Sequence, residues 1–369
     1  MIQGQGMETG EILARAPGKL ILLGEYAVME GAPALVAAIN REARITVRPS
    51  RDRHFRISAP VMDVDALPFH LDASGAVVFD APLGDALADK MKFFAATFAA
   101  GWRMRGEAAS PAPLEVHLDT ADFYHRQHGK IGFGSSAALT VALLGALAAR
   151  SDSDFFNEAR QYPFFRQALE AHRLAQGKMG SGIDVAASTF GGILQYQIAP
   201  EGQLPAAMIE TVSYPPGLYM LAIWTGVSAS TRKLVRRVHE FRAREPRRFQ
   251  QIMEEMGEIS FAGCHALFSE DISHFLDAVG AYHQVLTKLG QHSSAPIISP
   301  EHQALAAIAY DRGAFYKPSG AGGGDLGIAF SDSPEVLEQV AEQIGRTAYE
   351  IVPIHITANG LQITYKEVV

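Results

Sequence analysis

The run Gly129-Lys130-Ile131-Gly132-Phe133-Gly134-Ser135-Ser136-Ala137-Ala138 narrows what this chain can fold into more than any other stretch. It is a glycine-rich turn that leads without a break into an apolar segment, Ala137 to about Ala149, which predicts a buried helix. Glycine admits φ > 0 and lets the backbone approach a bulky anion. The first turn of a helix presents unpaired N–H groups at the positive end of its dipole. Such a turn can cradle a phosphate. The hydroxyls of Ser135 and Ser136 can cap the helix or reach a metal ion. A capped, buried helix with no ligand is the competing account, and this run alone does not choose between them.

The rest of the chain supplies context. Its 369 residues have room for about two domains. A formal charge of −8 argues against a general nucleic-acid binder. No run reaches the roughly 18 apolar residues of a membrane span, so neither nucleic acid nor membrane is an expected partner. A lone Cys264 leaves no disulfide framework, which suits a reducing cytoplasm, and it reads as a small core residue. Met1 to Gly10 is polar and glycine-rich and reads as a loose leader.

Glu11 to Ala16 predicts a short strand, Pro17-Gly18-Lys19 a turn, and Leu20 to Leu23 a second, buried strand. Lys19 thus sits at a strand mouth, either as a surface lysine or facing a ligand. Asp85 to Met104 and Asn157 to Gln176 predict helices, the second interrupted near Pro163. In Met179-Gly180-Ser181-Gly182-Ile183-Asp184-Val185-Ala186-Ala187, Asp184 stands between glycines and a thin, small-residue helix. It reads as an N-cap or as a group that something large approaches. Pro200 to Pro216 marks a domain boundary. Beyond the strand Leu218 to Trp224, a hydroxyl-rich turn, Thr225 to Thr231, enters a helix carrying Arg232, Lys233, Arg236 and Arg237. Hydroxyls and cations at a helix start suit a phosphorylated or carboxylated ligand; a solvated charged face is the alternative. Lys317 to Gly327 holds five glycines within eight residues and feeds a buried strand, as a loop pressed against a ligand would. Asp325 reads as a cap that holds this loop. Ala348 to His355 predicts a strand, and Gly360 to Val369 a final edge strand.

Several known chemistries are absent. There is no Walker A pattern, no His-Glu-x-x-His or Cys-x-x-Cys, and no Gly-x-Ser-x-Gly. Gly132 to Ala137 matches the dinucleotide pattern Gly-x-Gly-x-x-Ala, but the polar segment before it is no buried strand.

Ala16-Pro17-Gly18-Lys19-Leu20 with Gly24-Glu25-Tyr26-Ala27-Val28 resembles the first motif of the GHMP kinases, the superfamily of galactokinase, homoserine kinase, mevalonate kinase and phosphomevalonate kinase. Gly132 to Ala137 resembles their second, ATP-phosphate motif, and Ser319 to Asp325 their third. Ala171-His172 with Ala175 to Ala187, Trp224-Thr225-Gly226 with Ala229-Ser230-Thr231, and Gly323-Gly324-Asp325 with Gly327-Ile328-Ala329 are similar to the phosphomevalonate kinase family of eukaryotic type. There are departures. Gly180 and Val185 stand where mevalonate kinases carry Pro and Asn, Phe133 where Leu is usual, and Leu326 where Cys is common. Where many members place a Mg²⁺-binding Glu, this chain has His172 and Arg173, with Glu170 further back.

The resemblance implies an α/β (α+β) GHMP kinase fold. A ribosomal protein S5 domain 2-like, ATP-binding domain would span residues 11–208, and a ferredoxin-like domain residues 209–369. It implies ATP and Mg²⁺ as cofactors. Lys130, Gly132, Gly134, Ser135, Ser136, Ala137, Gly320, Gly322 and Gly323 would lie on the nucleotide phosphates, with Ser135 or Ser136 assisting the metal. Asp184 would be the base, with Lys19 beside it. The implied acceptor is 5-phosphomevalonate, surrounded by Lys19, Lys178, Ser181, Ser230, Lys233 and Gly323. Mevalonate or another small alcohol is the alternative acceptor, and a non-catalytic binding module the remote one. A cytoplasmic monomer or homodimer is expected.

Overall fold

The computed structural model describes residues 10–52, 54–104, 112–125, 129–152, 155–177, 180–199 and 206–366. In chain order these form β1 (Glu11–Leu23), β2 (Ala34–Pro49), β3 (Phe55–Ala59), β4 (Val64–Leu71), β5 (Val77–Phe79), α1 (Asp85–Met104), β6 (Leu114–Asp119), β7 (Tyr124–His125), β8 (Gly129–Lys130), α2 (Ser135–Ser151), α3 (Glu158–Gln176), α4 (Ile183–Phe190), β9 (Ile193–Ile198) and β10 (Ala207–Val212). They continue as β11 (Tyr219–Trp224), α5 (Thr231–Arg244), α6 (Pro246–Phe268), α7 (Ile272–Ser293), α8 (Pro300–Tyr310), β12 (Phe315–Ser319), β13 (Leu326–Ser331), α9 (Pro334–Ile344), β14 (Glu350–Ile351) and β15 (Gln362–Lys366).

β1 is one strand, not two strands and a turn. The Pro17-Gly18 step is a bulge where the register against β2 shifts. A bulge tolerates a proline, which has no ladder N–H to give. Gly18 is needed there because a Cβ would stand 2.7 Å from the Phe133 carbonyl oxygen and 2.8 Å from the Phe123 ring. The Lys19 N–H then donates to that carbonyl at 2.9 Å. The bulge thus joins the first strand to the glycine turn before α2 and carries Lys19 inward.

The large sheet runs β10-β9-β2-β6-β3-β4-β5, with β1 along the other edge of β2 and β15 outside β1. The long β2 pairs with β9 through its first half and β6 through its second. Helices α1 to α4 cover this sheet. α2 is buried nearly all round, as its unbroken apolar sequence requires. Gly101 allows α1 to cross it closely, since a Cβ there would stand 2.7 Å from Leu147 Cδ1. Phe94, Phe98 and Trp102 of α1 interlock with Phe55 of β3 and Phe69 of β4, with ring centroids 4.9–5.8 Å apart. Phe69, Phe94 and Phe98 are fully buried, each worth about 1.5–3 kcal/mol.

The second sheet runs β12-β13-β11-β14. Helices α7, α8 and α9 pack on it, α5 and α6 pack against α7, and α6 also touches β1 and β2 of the large sheet. Leu305, Ala309, Tyr316, Val340 and Ile344 form a small core of their own.

Other expectations are corrected. α3 runs unbroken through Pro163, which lies near the helix start and removes only one internal hydrogen bond. Of Ala348–His355 only Glu350–Ile351 is strand. The segment after it leaves the small sheet: the Asn40 N–H donates to the His355 carbonyl at 2.9 Å and the Thr357 N–H to that of Ala38 at 3.0 Å. That path returns the chain to the large sheet, where β15 pairs with β1. β10 also belongs to the large sheet and spans the expected 208/209 boundary. Of the expected leader, Met1 to Gly10, residues 1–9 lie outside the described residues. Among the described residues no helix is long and apolar enough to cross a membrane. Cys264 is buried, and burial pushes its thiol up to about 12, as befits an inert core residue.

Candidate active site

Lys19 leaves β1 just past the bulge and is buried. Its ammonium donates to the Gly132 carbonyl at 3.3 Å. Burial lowers its pKa, and Asp184, Asp325 and Glu25 oppose that shift, in that order. Asp184 stands in the first turn of α4, which begins after Gly182 in a left-handed conformation. The Ser188 hydroxyl donates to the Pro17 carbonyl at 2.7 Å and holds α4 against the bulge.

Gly134 separates the two charges. It caps α2 at φ 80°, and a Cβ on it would stand 3.0 Å from Lys19 Cγ and 3.8 Å from Asp184 Cβ. Gly132, at φ 104°, faces Asp325, whose Cβ would lie 2.9 Å from any Cβ added there. So the first two glycine motifs and Asp184 meet at one point, and Asp325 joins them from the second sheet.

The turn itself leads into α2 through Ser135, buried, and Ser136. Ala137 and Ala138 bond back to the Gly134 carbonyl at 3.1 and 3.2 Å. The amides ahead of them are those a helix start offers an anion. Ser136 Oγ lies 3.3 Å from His172 Nε2. Burial pushes the His172 pKa down against the pull of Asp184, so the ring is neutral at neutral pH. Lys130, exposed on β8, has an ammonium crowded by protein that lowers its pKa, and Asp325, Lys19 and Asp184 all act on it. Ser228 Oγ donates to the Lys130 carbonyl at 3.1 Å, and His125 stacks on Trp224 at 5.0 Å. The β7–β8 hairpin therefore touches the second sheet.

The third glycine loop is shaped largely by protein. A Cβ on Gly322 would overlap the Ile297 carbonyl, whose oxygen accepts from the Gly323 N–H at 2.8 Å. A Cβ on Gly324 would stand 2.5 Å from the Val227 carbonyl oxygen. Only Gly320 faces the charged centre, 3.8 Å from Lys19 Nζ by the same construction. Asp325 does cap: its Oδ1 accepts from the Ala229 N–H at 3.1 Å. Burial raises its carboxyl to about 6, against the pull of that hydrogen bond, Lys19 and Lys130.

The remaining expected residues divide. Ser181 is tied into the turn before α4: its Oγ accepts from the Ile183 N–H at 3.3 Å and its carbonyl from Tyr196 Oη at 2.7 Å. Ser230 and Lys233 are exposed at the start of α5. Their neighbour Leu234 packs against Gly323, 3.0 Å from a Cβ placed there. On α1, Asp89 is held below its usual range by the hydrogen bond and charge of Lys92, with a smaller pull from Arg232. Lys178 lies outside the described residues.

Three residues at the site carried no role in the sequence reading. Glu25 and Lys317 form a buried ion pair behind Gly320. His302 is fully buried beneath Gly324. The Gly324 carbonyl, 3.0 Å from His302 Nε2, can only accept, so Nε2 carries the proton. Burial holds the ring neutral, with a pKa near 4, so Nδ1 accepts from Tyr316 Oη at 2.8 Å. A charged residue in a five-residue buried strand was the one available signal, for Lys317.

The family described as GHMP kinases N terminal domain matches residues 104–192, which include the second glycine motif and Asp184. The chain is 31% identical over 352 residues to the phosphomevalonate kinase of Streptomyces sp. (strain CL190), covering 89% of this chain and 92% of that one. This chain belongs to the GHMP kinase family. As a GHMP kinase it is a phosphotransferase with the mixed α/β fold of that family. It is also 25% identical over 400 residues to the mevalonate kinase of Arabidopsis thaliana, covering 96% and 100% of the two chains. Its fold matches the Streptococcus pneumoniae phosphomevalonate kinase solved with phosphomevalonate and AMPPNP, at TM-score 0.75 and 21% identity over 93% of this chain and 99% of that one.

Proposed function

We propose that this GHMP kinase transfers the γ-phosphoryl group of ATP to the phosphate of 5-phosphomevalonate, giving 5-diphosphomevalonate and ADP on the mevalonate route to isoprenoids. The observation that carries this reading is the meeting of Lys19 and Asp184 on the two sides of Gly134. Phosphoryl transfer asks mainly for positioning and charge neutralisation. The Gly132–Ala137 turn and the start of α2 would hold the ATP phosphates, with Lys130 and Gly320 at their edge. The acceptor oxygen bonds to the γ-phosphorus as the bond from that phosphorus to the β–γ bridging oxygen breaks and ADP leaves. Lys19 stabilises the charge on the moving group. Asp184 orients the acceptor and takes its proton where the phosphate still carries one.

The hydroxyls of Ser135 and Ser136 are hard oxygen donors and fit Mg²⁺, which takes oxygen ligands and usually shares them with substrate phosphates and water. Among the described residues no three His, Cys, Asp or Glu side chains gather to hold a metal by themselves, in keeping with an ion that arrives on the nucleotide. When bound, Mg²⁺ would neutralise phosphate charge, with Ser135 and Ser136 holding it.

Two observations favour a phosphorylated acceptor. The relative with 31% identity across most of both chains carries the name phosphomevalonate kinase. The start of α5 offers the exposed cations Arg232 and Lys233 to an anion. Mevalonate itself is the second reading, supported by the full-length match to the Arabidopsis enzyme. A coupled ADP-release assay with Mg²⁺-ATP and mevalonate, 5-phosphomevalonate or 5-diphosphomevalonate decides between them. Turnover with 5-phosphomevalonate alone is expected. Turnover with mevalonate alone would overturn the acceptor and keep the phosphotransferase chemistry.

A further inference from the structure

Glu25 and Lys317 are buried at 3% and 0% exposure. Lys317 Nζ donates to Glu25 Oε1 and, at 2.7 Å, to the Pro318 carbonyl. Glu25 Oε1 also accepts from the Gly320 N–H at 3.2 Å, while Oε2 is buried with no hydrogen-bond partner among the described residues. Desolvating two charges is costly, and apolar replacements of such pairs are often as stable. An orphaned carboxylate oxygen adds to that cost. Stability alone is therefore a poor reason for this pair.

Its surroundings offer a better one. Tyr26, beside Glu25, holds a left-handed φ of 62°, a strained state for a bulky residue. From there its hydroxyl donates to the Ala321 carbonyl at 2.6 Å. Ser319 Oγ accepts from the Ile21 N–H at 3.0 Å and donates to the Ile21 carbonyl at 3.1 Å. Tyr282 Oη donates to the Glu25 carbonyl at 2.6 Å. The end of β1 is thus stitched to the start of the third glycine loop. The Glu25 charge acts on Lys19 as well as on Lys317.

We propose that Glu25 is a positioning residue of the phosphate site: its carboxylate fixes the Gly320 amide and serves as shared counter-charge to Lys317 and Lys19, aiming the Lys19 ammonium at the Gly132–Gly134 turn. This rests on the reading that the terminal phosphate of ATP lies at that turn, and not on which acceptor is used.

The test uses the full chain with Glu25→Gln, Lys317→Met and the double variant. Each is read by thermal midpoint and by affinity for AMPPNP and for ADP. Each single variant strands a buried charge or polar group and should melt earlier; the double variant removes both charges and should regain the midpoint. The double variant should still bind AMPPNP about tenfold more weakly than wild type, with ADP affinity changed by less than about twofold, because the lost positioning acts on the terminal phosphate. A double variant with an unchanged AMPPNP-to-ADP affinity ratio would make the pair structural only and overturn the inference. Wild-type protein that binds neither nucleotide would sink the ATP reading itself, and this inference with it.

Discussion

Lys19 and Asp184 flank the α-carbon of Gly134, with Lys19 Cγ and Asp184 Cβ 3.0 and 3.8 Å from the place a Cβ would take. A methyl group on Gly134 would press on Lys19 Cγ and reach Asp184 Cβ at ordinary contact distance, so the Lys19 side chain would have to shift. Gly134→Ala should therefore disturb the site as well as add left-handed backbone strain. Gly313, at φ 85°, has nothing within 4 Å of an added Cβ and gives the control. Both alanine variants should lose about 1–2 kcal/mol of stability. Only Gly134→Ala should also lose ADP release, by at least about tenfold. Equal activity in the two variants would show that the close fit at Gly134 is irrelevant to turnover.

If Asp184 performs base chemistry, Asp184→Ala should lower kcat by about 10²–10⁴. Steady-state kinetics separate this from a milder role. A loss of only a few-fold with KM intact would leave Asp184 an orienting group, as an already anionic acceptor would allow.

Asp325 makes a pH prediction with a definite sign. Burial raises its carboxyl to about 6, whereas in the unfolded chain an Asp titrates near about 3.9. Between those values the folded protein keeps a proton that the unfolded chain has released. This group's contribution to stability therefore falls as pH rises from about 4 to about 7 and is level above. Asp325→Asn retains an oxygen for the Ala229 N–H and removes the titration. The thermal midpoint of wild type minus that of Asp325→Asn should fall across this range; parallel curves would refute the buried carboxyl.

Lys233 is exposed one residue from Leu234, which packs on Gly323. If it faces the acceptor, Lys233→Ala should raise the acceptor KM several-fold and leave that for ATP nearly unchanged. Equal rises in both would reject the role.

What the sequence by itself determined was local. The helix Asp85–Met104 was legible to the residue from its apolar spacing; α2 was legible from its apolar run, but it starts at Ser135 after Gly134, two residues before the expected Ala137, and no serine side chain caps it. The three glycine motifs, their order and the family followed from short runs whose backbone demands are written in adjacent residues. Tertiary structure decided whatever depends on a distant partner. Pro17-Gly18 looks like a turn because both residues favour turns, yet it is a bulge because Phe133 needs the space. Glycines 322 and 324 suggest a ligand but press on Ile297 and Val227. Lys317 meets Glu25 across 292 positions of sequence, and no local pattern marks that pair. β15 returns to β1 from the far end of the chain, so the division into domains was not legible from composition. Backbone conformation is set largely by neighbours in sequence, whereas burial, register and the pairing of charges are set by neighbours in space.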